Sequence, residues 1–213
     1  PQIIDFSPTG EMGRAVLRGR PFSFALSNRS GHSARMTDNA DLAALIRTIA
    51  DHPKPGILFR DVSTLLLDGQ GFRTTIDRLA ALVAPDTRLI AGIEARGFIV
   101  AAGLSYALGL GKLMLRKPGK LPGEKIGVDY ALEYGTDRIE LHTGQILPGQ
   151  KVVLVDDLIA TGGTALAGIN LIRQAGGVVE QALFIVDLPE LGGAEKLRAV
   201  GVEPTALIGF DGH

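Results

Sequence analysis

Two adjacent acids end an apolar run in the segment VDDLIATGGT, which covers residues 155–164. Asp156 and Asp157 follow residues 152–155, whose continuous apolar character predicts a buried strand. Carboxylates are costly to remove from water unless a partner compensates them. A pair of acids at the end of a buried strand therefore indicates a binding site for a polar ligand.

The loop after the acids has the composition of a phosphate cradle. Residues 161–164 read Thr-Gly-Gly-Thr and lead into a segment with helical spacing. Free backbone N–H groups at a helix start bind phosphate, and glycine lets the ligand approach the backbone closely. The two carboxylates would repel that phosphate, so they suit hydroxyl groups or a phosphate-bound cation. A ribose 5-phosphate combines both features, since it has a phosphate at one end and a diol in the middle.

Two other phosphate-binding motifs do not fit these residues. A Walker A loop needs Gly-Lys followed by Ser or Thr, whereas here Gly163 is followed by Thr164 and Ala165. A dinucleotide fingerprint needs three glycines spaced G-x-G-x-x-G, and the segment GLGKLM breaks that spacing at Met114. A purely structural alternative stays open, in which the glycines form a tight turn and the acids cap a helix.

Two further segments carry cations suited to a second anion. GIEARGF, residues 92–98, places Arg96 between a predicted strand and a predicted helix. RKPGKLPGEK, residues 116–125, is a loop broken by Pro and Gly and rich in cations. Such a loop can act as a lid that covers an anionic leaving group and excludes water. The structural alternatives are a surface arginine and a solvated charged loop.

The elements that position these motifs follow from apolar periodicity. Helices are predicted over residues 39–50, 70–83, 97–109, 164–176 and 193–201. Strands are predicted over residues 88–93, 112–116, 151–157, 178–187 and 203–210, with a small ribbon over 130–134 and 138–142. Apolar strands that alternate with helices predict an α/β fold, with a parallel sheet covered on both faces. Ligands of such sheets bind at the carboxyl ends of the strands, where these motifs lie.

Composition narrows the class of protein. The chain has 213 residues, of which 46% are apolar and 28 are glycine, as suits an α/β domain. The net charge of −1 gives no bulk field that would attract nucleic acid or a membrane. The absence of cysteine excludes disulfides and thiolate metal sites and suits a cytoplasmic enzyme. The four histidines have no spacing typical of a metal site: His32, His52, His142 and His213.

The first 35 residues differ from the rest of the sequence. Residues 1–35 are rich in Arg, Ser and Gly and have no lasting period, whereas Met36 precedes a regular pattern. We expect residues 1–35 to be an N-terminal extension outside the core and 36–213 to be the functional domain. A targeting or docking arm is the alternative.

Five segments in this order identify a family resemblance: PGILFRD (55–61), GIEARGF, RKPGKLPGE, LEYG (132–135) and VDDLIATGGT. Together they resemble the type I phosphoribosyltransferases that act on adenine, over nearly all of residues 36–213. The resemblance implies a parallel α/β sheet with helices on both faces, a small hood and a mobile lid loop. It also implies conversion of adenine and 5-phosphoribosyl 1-pyrophosphate (PRPP) into AMP and pyrophosphate in purine salvage.

By resemblance, each site residue has an expected role. The catalytic residues would be Glu133, Arg116, Asp156 and Asp157, with the two aspartates meeting the ribose hydroxyls and Tyr134 assisting Glu133. The 5-phosphate would be bound by Ala160, Thr161, Gly162, Gly163 and Thr164. The pyrophosphate would be bound by Ala95, Arg96, Gly97, Arg116, Lys117 and Lys120. Adenine would be bound by Leu58, Phe59 and Arg60, with Phe59 stacking on the base.

The resemblance further implies Mg²⁺ as cofactor, held mainly by PRPP, and a homodimer that binds neither nucleic acid nor membranes. One alternative is a phosphoribosyltransferase for another purine base, namely xanthine, hypoxanthine or guanine. The other is a non-catalytic regulator that binds PRPP and controls transcription. A regulator should carry a DNA-binding domain, for which residues 1–35 are too short, and the net charge of −1 does not favour it.

Overall fold

Strands and helices alternate along the part of the chain that the computed structural model describes, residues 39–131 and 135–212. The strands are β1 (Arg47–Ala50), β2 (Leu58–Asp61), β3 (Leu89–Ile93), β4 (Gly111–Leu115), β5 (Lys125–Ala131), β6 (Thr136–His142), β7 (Lys151–Ile159), β8 (Val178–Asp187) and β9 (Glu203–Gly209). The helices are α1 (Ala40–Ala43), α2 (Ser63–Leu67), α3 (Gly69–Ala80), α4 (Gly97–Leu108), α5 (Gly163–Gln174) and α6 (Gly193–Ala199).

A five-stranded parallel sheet in the order β4-β3-β7-β8-β9 forms the centre of the fold. Successive side chains of its strands enter two separate hydrophobic cores. Leu154 packs in the core that includes α5, and Val155 packs in the core that includes α3 and α4. Burying an aliphatic side chain of this size stabilises a fold by about 1.5–3 kcal/mol. Helices on both faces thus confirm the predicted class of sheet.

The strand register brings two sequence motifs to one place. Gly92 of β3 lies opposite Val155 of β7, so both strands reach the same edge of the sheet together. Asp156 and Asp157 follow Val155, and the loop before α4 follows β3. Because the strands are parallel, this register places the double acid beside Arg96 without any long connection.

Two small antiparallel sheets flank the central sheet. β1 pairs with β2, and β5 pairs with β6. The second pair is joined to the end of β4, because Arg116 and Glu140 exchange two backbone hydrogen bonds of 2.9 and 2.7 Å. The β5–β6 ribbon also packs on α5. The segment 116–124 is therefore held at both ends by ordered strands.

The helix predicted over residues 39–50 is wrong after Ala43. The chain instead turns and forms β1, in which Ile49 lies opposite Phe59. Leu42 and Ile46 are both buried, and their four-residue spacing imitated one helix. The β-branched pair Thr48 and Ile49 favours a strand, and its partner β2 was not predicted.

The other predicted helices and the strands of the central sheet are confirmed to within a few residues. The first strand of the ribbon was predicted too far along the chain: β5 spans Lys125–Ala131 and overlaps the predicted range 130–134 only at residues 130 and 131, while residues 132–134 lie outside the described ranges. Consequently Lys125 belongs to a strand and not to the cationic loop. Within the described ranges, no helix has the length and apolar character needed to cross a membrane.

We expect Gly92→Ala to destabilise the fold, because α4 approaches β3 closely at this residue. An added Cβ would lie 2.7 Å from the carbonyl oxygen of Gly97 and 2.7 Å from the Cβ of Ala101. Overpacking of this kind costs about 1–3 kcal/mol in the free energy of unfolding, measured by urea denaturation. Gly69→Ala is the matched control, since no atom lies within 4 Å of its added methyl group. Equal stability of the two variants would contradict this account of the packing.

Candidate active site

The double acid lies near the carboxyl end of β7, which continues to Ile159. Asp157 is only 5% exposed, and its Oδ2 lies 2.5 Å from the Nε of Arg96. The backbone N–H of Asp157 donates to Oδ1 of Asp156 at 2.9 Å. Asp156 also lines the pocket formed by the following loop. The two carboxylates therefore have different surroundings: one is paired with Arg96, and the other faces the pocket.

The electrostatics separate the two acids further. Burial, and then the neighbouring charge of Asp157, raise the pKa of Asp156 well above its usual range, while Arg96 opposes the shift. Removing two like charges from water at adjacent residues is unfavourable, and Arg96 compensates one of them. Asp156 is then the carboxylate that gains most from a ligand hydroxyl group or a cation.

Gly97 allows α4 to begin against the acids. A Cβ at this residue would lie 2.8 Å from Oδ1 of Asp156 and 2.9 Å from the carbonyl oxygen of Val155. Those contacts are too short for any larger residue unless the backbone moves. Glycine at this position is therefore required for Arg96 to reach Asp157 from the start of α4.

The loop after β7 forms an open pocket of about 130 Å³ lined by Asp156 and residues 158–165. Gly162 has φ of 77°, a left-handed conformation that favours glycine. Residues 163–165 begin α5, so their N–H groups lack intrahelical acceptors. The positive end of the helix dipole lies at the same place. The pocket thus has the hydrogen-bond donors and the helix-dipole field that an anion site needs.

Arg116 contacts the turn that holds Arg96. Its Nε lies 3.0 Å from Oε2 of Glu94, and the backbone N–H of Lys117 donates to the same oxygen at 2.7 Å. The Arg116 guanidinium, through this hydrogen bond, lowers the pKa of Glu94. Sequence reasoning missed Glu94, although an acid between a strand end and Arg96 was a usable signal. The structure brings Ala95, Arg96 and Arg116 to one end of the site.

Lys117 is engaged in the ribbon. Its Nζ forms a hydrogen bond of 2.6 Å with the Tyr130 hydroxyl and an ion pair with Asp137. Burial opposes ionisation, but the hydrogen bonds with Asp137 and Tyr130 leave the pKa of Lys117 raised. The Thr164 hydroxyl lies 3.5 Å from the Tyr130 oxygen, which connects this group to the phosphate loop. Sequence reasoning missed Tyr130 and Asp137, which lie opposite each other in the ribbon register. Lys120, by contrast, is exposed on the loop.

The segment expected to bind adenine lies on β2. Phe59 is half-buried and contacts His52 edge-on, with ring centroids 5.2 Å apart. Arg60 donates to the Thr48 hydroxyl at 2.8 Å, and its guanidinium lies 4.4 Å above the centroid of the Phe210 ring. Among the described residues, no hydrogen bond or ion pair joins residues 58–60 to the double acid or the phosphate loop.

Glu133 and Tyr134 lie outside the described residues. Ala131, the last described residue before them, lies beside the phosphate loop. Its carbonyl oxygen is 3.5 Å from the position that a Cβ on Gly163 would take. The described residues contain no group of three Asp, Glu or His side chains that could hold a metal ion.

Comparisons with known proteins show the family of this chain. The model of the phosphoribosyl transferase domain matches residues 64–196. The adenine phosphoribosyltransferase of Erythrobacter litoralis is 60% identical over 175 residues, which cover 81% of this chain and 98% of the relative. That of Azorhizobium caulinodans is 52% identical over 179 residues, which cover 84% of this chain and 100% of the relative.

Solved structures give the same result. The crystal structure of the enzyme from Thermoanaerobacter pseudethanolicus is 44% identical with a TM-score of 0.76, over 80% of this chain and 99% of that one. The enzyme from Saccharomyces cerevisiae, in complex with adenine and an imino-altritol bisphosphate, is 32% identical with a TM-score of 0.71, over 79% and 97%. Fold, site and relatives together show that the chain belongs to the adenine phosphoribosyltransferase family.

Proposed function

We propose that the residues at the carboxyl edge of the sheet divide three tasks in converting adenine and PRPP into AMP and pyrophosphate. The observation that carries this proposal is the pocket in which Asp156 adjoins the Thr-Gly-Gly-Thr loop. Residues 160–164 bind the 5-phosphate with free N–H groups and the positive end of α5. This fixes the ribose with its hydroxyls toward the two acids.

The acids orient the ribose. Asp156, which faces the pocket, accepts hydrogen bonds from a ribose hydroxyl, and Asp157 keeps Arg96 in place. Mg²⁺ fits this site as a cation held mainly by PRPP, since two carboxylates, one of them ion-paired, are a small protein donor set. When bound, the ion supplies neutralisation of the pyrophosphate charge.

The leaving group departs toward a group of cations. As the bond between C1 of the ribose and the pyrophosphate oxygen breaks, its electron pair goes to pyrophosphate, and N9 of adenine forms the new bond to C1. The transition state resembles an oxocarbenium ion, as at other glycosidic centres. Positive side chains stabilise the charge that develops on the leaving group: Arg96, Arg116, Lys117 and Lys120. Closure of segment 116–124 over the pyrophosphate excludes water.

Base recognition falls to residues 58–60 and to Glu133. Phe59 stacks on adenine, and the backbone groups of β2 read its edge. Glu133 receives or relays the proton lost from the purine ring, a role that full kcat in Glu133→Gln would contradict. The S. cerevisiae relative whose structure contains adenine supports adenine as the base.

Two features support a homodimer. Ile99 and Tyr106 lie seven residues apart on the same face of α4, and Tyr106 is 92% exposed. Met114 on the edge strand β4 adds to the exposed apolar surface. Apolar surface of this kind is typical of protein interfaces. Sedimentation equilibrium tests the proposal, and a monomer at micromolar concentration would contradict it.

We also propose that 36–213 is the phosphoribosyltransferase domain and acts in the cytoplasm. The E. litoralis relative, of which 98% aligns with 175 residues of this chain, supports the domain boundary. Full activity of a variant that starts at Met36 tests the boundary, and cell fractionation tests the location.

A coupled assay that detects pyrophosphate, run with each purine base plus PRPP and Mg²⁺, tests the choice of base. We expect turnover with adenine and much less with hypoxanthine, guanine or xanthine, because in our proposal the backbone groups of β2 form hydrogen bonds with the edge of adenine. Turnover with another base instead would assign the chain to that base. Tight PRPP binding without any turnover would favour the regulator.

We expect Asp156→Asn to lower activity and to stabilise the fold. Because the folded pKa is raised, folded Asp156 keeps its proton at pH values where the unfolded chain has lost it. The free energy of unfolding therefore falls as pH rises from about 4, the pKa of an unfolded aspartate, through the folded pKa of Asp156. Above the folded pKa, this loss of stability remains constant. Asparagine removes this loss, while misplacement of the ribose lowers kcat/KM by on the order of 10²-fold.

Urea denaturation across this pH range and steady-state kinetics at neutral pH measure the two effects. Asp77→Asn is the matched control, because Asp77 lies on the surface of α3 and pairs with Arg73. A variant at Asp156 that is less stable than the wild type at neutral pH would refute the electrostatic argument.

Arg96→Ala should weaken the binding of pyrophosphate more than that of ribose 5-phosphate. Hydrogen bonds to charged groups contribute about 1.5–3 kcal/mol, so we expect a Kd for pyrophosphate raised about ten-fold or more. Isothermal titration measures both ligands. Arg88→Ala is the matched control, because this exposed arginine precedes β3 at the opposite edge of the sheet. An unchanged Kd for pyrophosphate would remove Arg96 from the leaving-group site.

A further inference from the structure

Helix α6 contacts the phosphate loop from its outer side. The Nζ of Lys196 donates a hydrogen bond of 2.9 Å to the carbonyl oxygen of Thr161. Lys196 is otherwise exposed and belongs to the segment GAEKLRAVG, for which we predicted a short helix and no function. The bond joins residues 35 positions apart, so it is a tertiary contact and not part of a local turn.

The start of α6 is fixed against the same loop by backbone contact. A Cβ on Gly162 would lie 3.0 Å from both the Cα and the carbonyl oxygen of Gly193. A Cβ on Gly193 would in turn lie 2.9 Å from the backbone nitrogen of Gly162 and 2.8 Å from Cγ1 of Ile159. Two glycines thus let the helix and the loop touch without side chains between them. Lys196 lies one turn after Gly193, on a support that is already in place.

This contact determines which way one peptide group of the loop faces. In a planar trans peptide, the C=O of Thr161 and the N–H of Gly162 point in opposite directions. A carbonyl held by Lys196 on the α6 side directs that N–H away from α6. Thr161 and Gly162 both line the phosphate pocket, and Gly162 has the left-handed conformation found in anion-binding nests. The opposite orientation would present a partially negative oxygen to the phosphate.

We propose that Lys196 is a positioning residue for the 5-phosphate. It holds the peptide between Thr161 and Gly162 with its N–H available to the phosphate, and it acts through the loop rather than by touching the substrate. The identity of the phosphate as that of PRPP rests on the proposed function. The positioning itself concerns any sugar phosphate that enters the pocket.

Comparison of Lys196→Met with Arg198→Met tests this proposal. Both variants remove one positive charge from α6, but Arg198 pairs with Glu195 and Glu203 and not with the loop. We expect Lys196→Met to raise the Kd for ribose 5-phosphate and the KM for PRPP by about five-fold or more, since a charged hydrogen bond is lost. The KM for adenine, the Kd for pyrophosphate and the thermal midpoint should match those of Arg198→Met. Lys196→Arg, which keeps a charged donor, should restore much of the affinity.

The next two outcomes would contradict the positioning role, and the two after them separate that role from the proposed function. Equal rises in Kd for Lys196→Met and Arg198→Met would mean that only the charge of α6 matters. A parallel loss of pyrophosphate affinity would mean a general disturbance of the site. If the wild type fails to use adenine while Lys196→Met still weakens ribose 5-phosphate, the proposed function fails and the positioning role stands. If the wild type uses adenine and Lys196→Met binds ribose 5-phosphate normally, the positioning role fails alone.

Discussion

The ion pair between Arg96 and Asp157 makes it possible for two carboxylates to lie together at the end of a buried strand. Without a cation, two adjacent carboxylates in a poorly solvated place would repel each other, and neither charge would be compensated. Arg96 compensates Asp157 and leaves Asp156 facing the pocket. The division of the pair into a structural and a ligand-facing acid comes from this single contact.

The ion pair between Arg96 and Asp157 depends on several elements of the fold. The parallel register of β3 and β7 brings the two strand ends level, and Gly97 lets α4 begin at contact distance from Asp156. Arg116 and Glu94 then tie the end of β4 to the same turn. Three neighbouring strands of one sheet therefore supply the acids, the arginine and the start of segment 116–124.

Sequence patterns predicted the central sheet because its two longest strands contain continuous apolar runs, residues 152–155 and 182–186. They indicated a site at the double acid because charge at the end of such a run is unusual. The hairpin of β1 and β2 escaped prediction because its strands have four residues each, too few to establish a period. Tertiary pairing decided the conformation there, and it overrode an apparent helical spacing. Lys196 and Asp137 gave no signal, because a single charged residue on a surface helix or ribbon is ordinary until its partner is known.

Under the function proposed above, the ribbon would also affect the binding of pyrophosphate. Lys117 already has a carboxylate partner in Asp137 and a hydroxyl partner in Tyr130. A pyrophosphate that recruits this ammonium exchanges one ionic partner for another, and its gain is the difference between two ion pairs rather than a whole one. The pyrophosphate group of PRPP and free pyrophosphate would both make this exchange, so Lys117 would contribute less to the binding of each. Under the proposed function, this smaller gain would favour release of pyrophosphate over its tight retention.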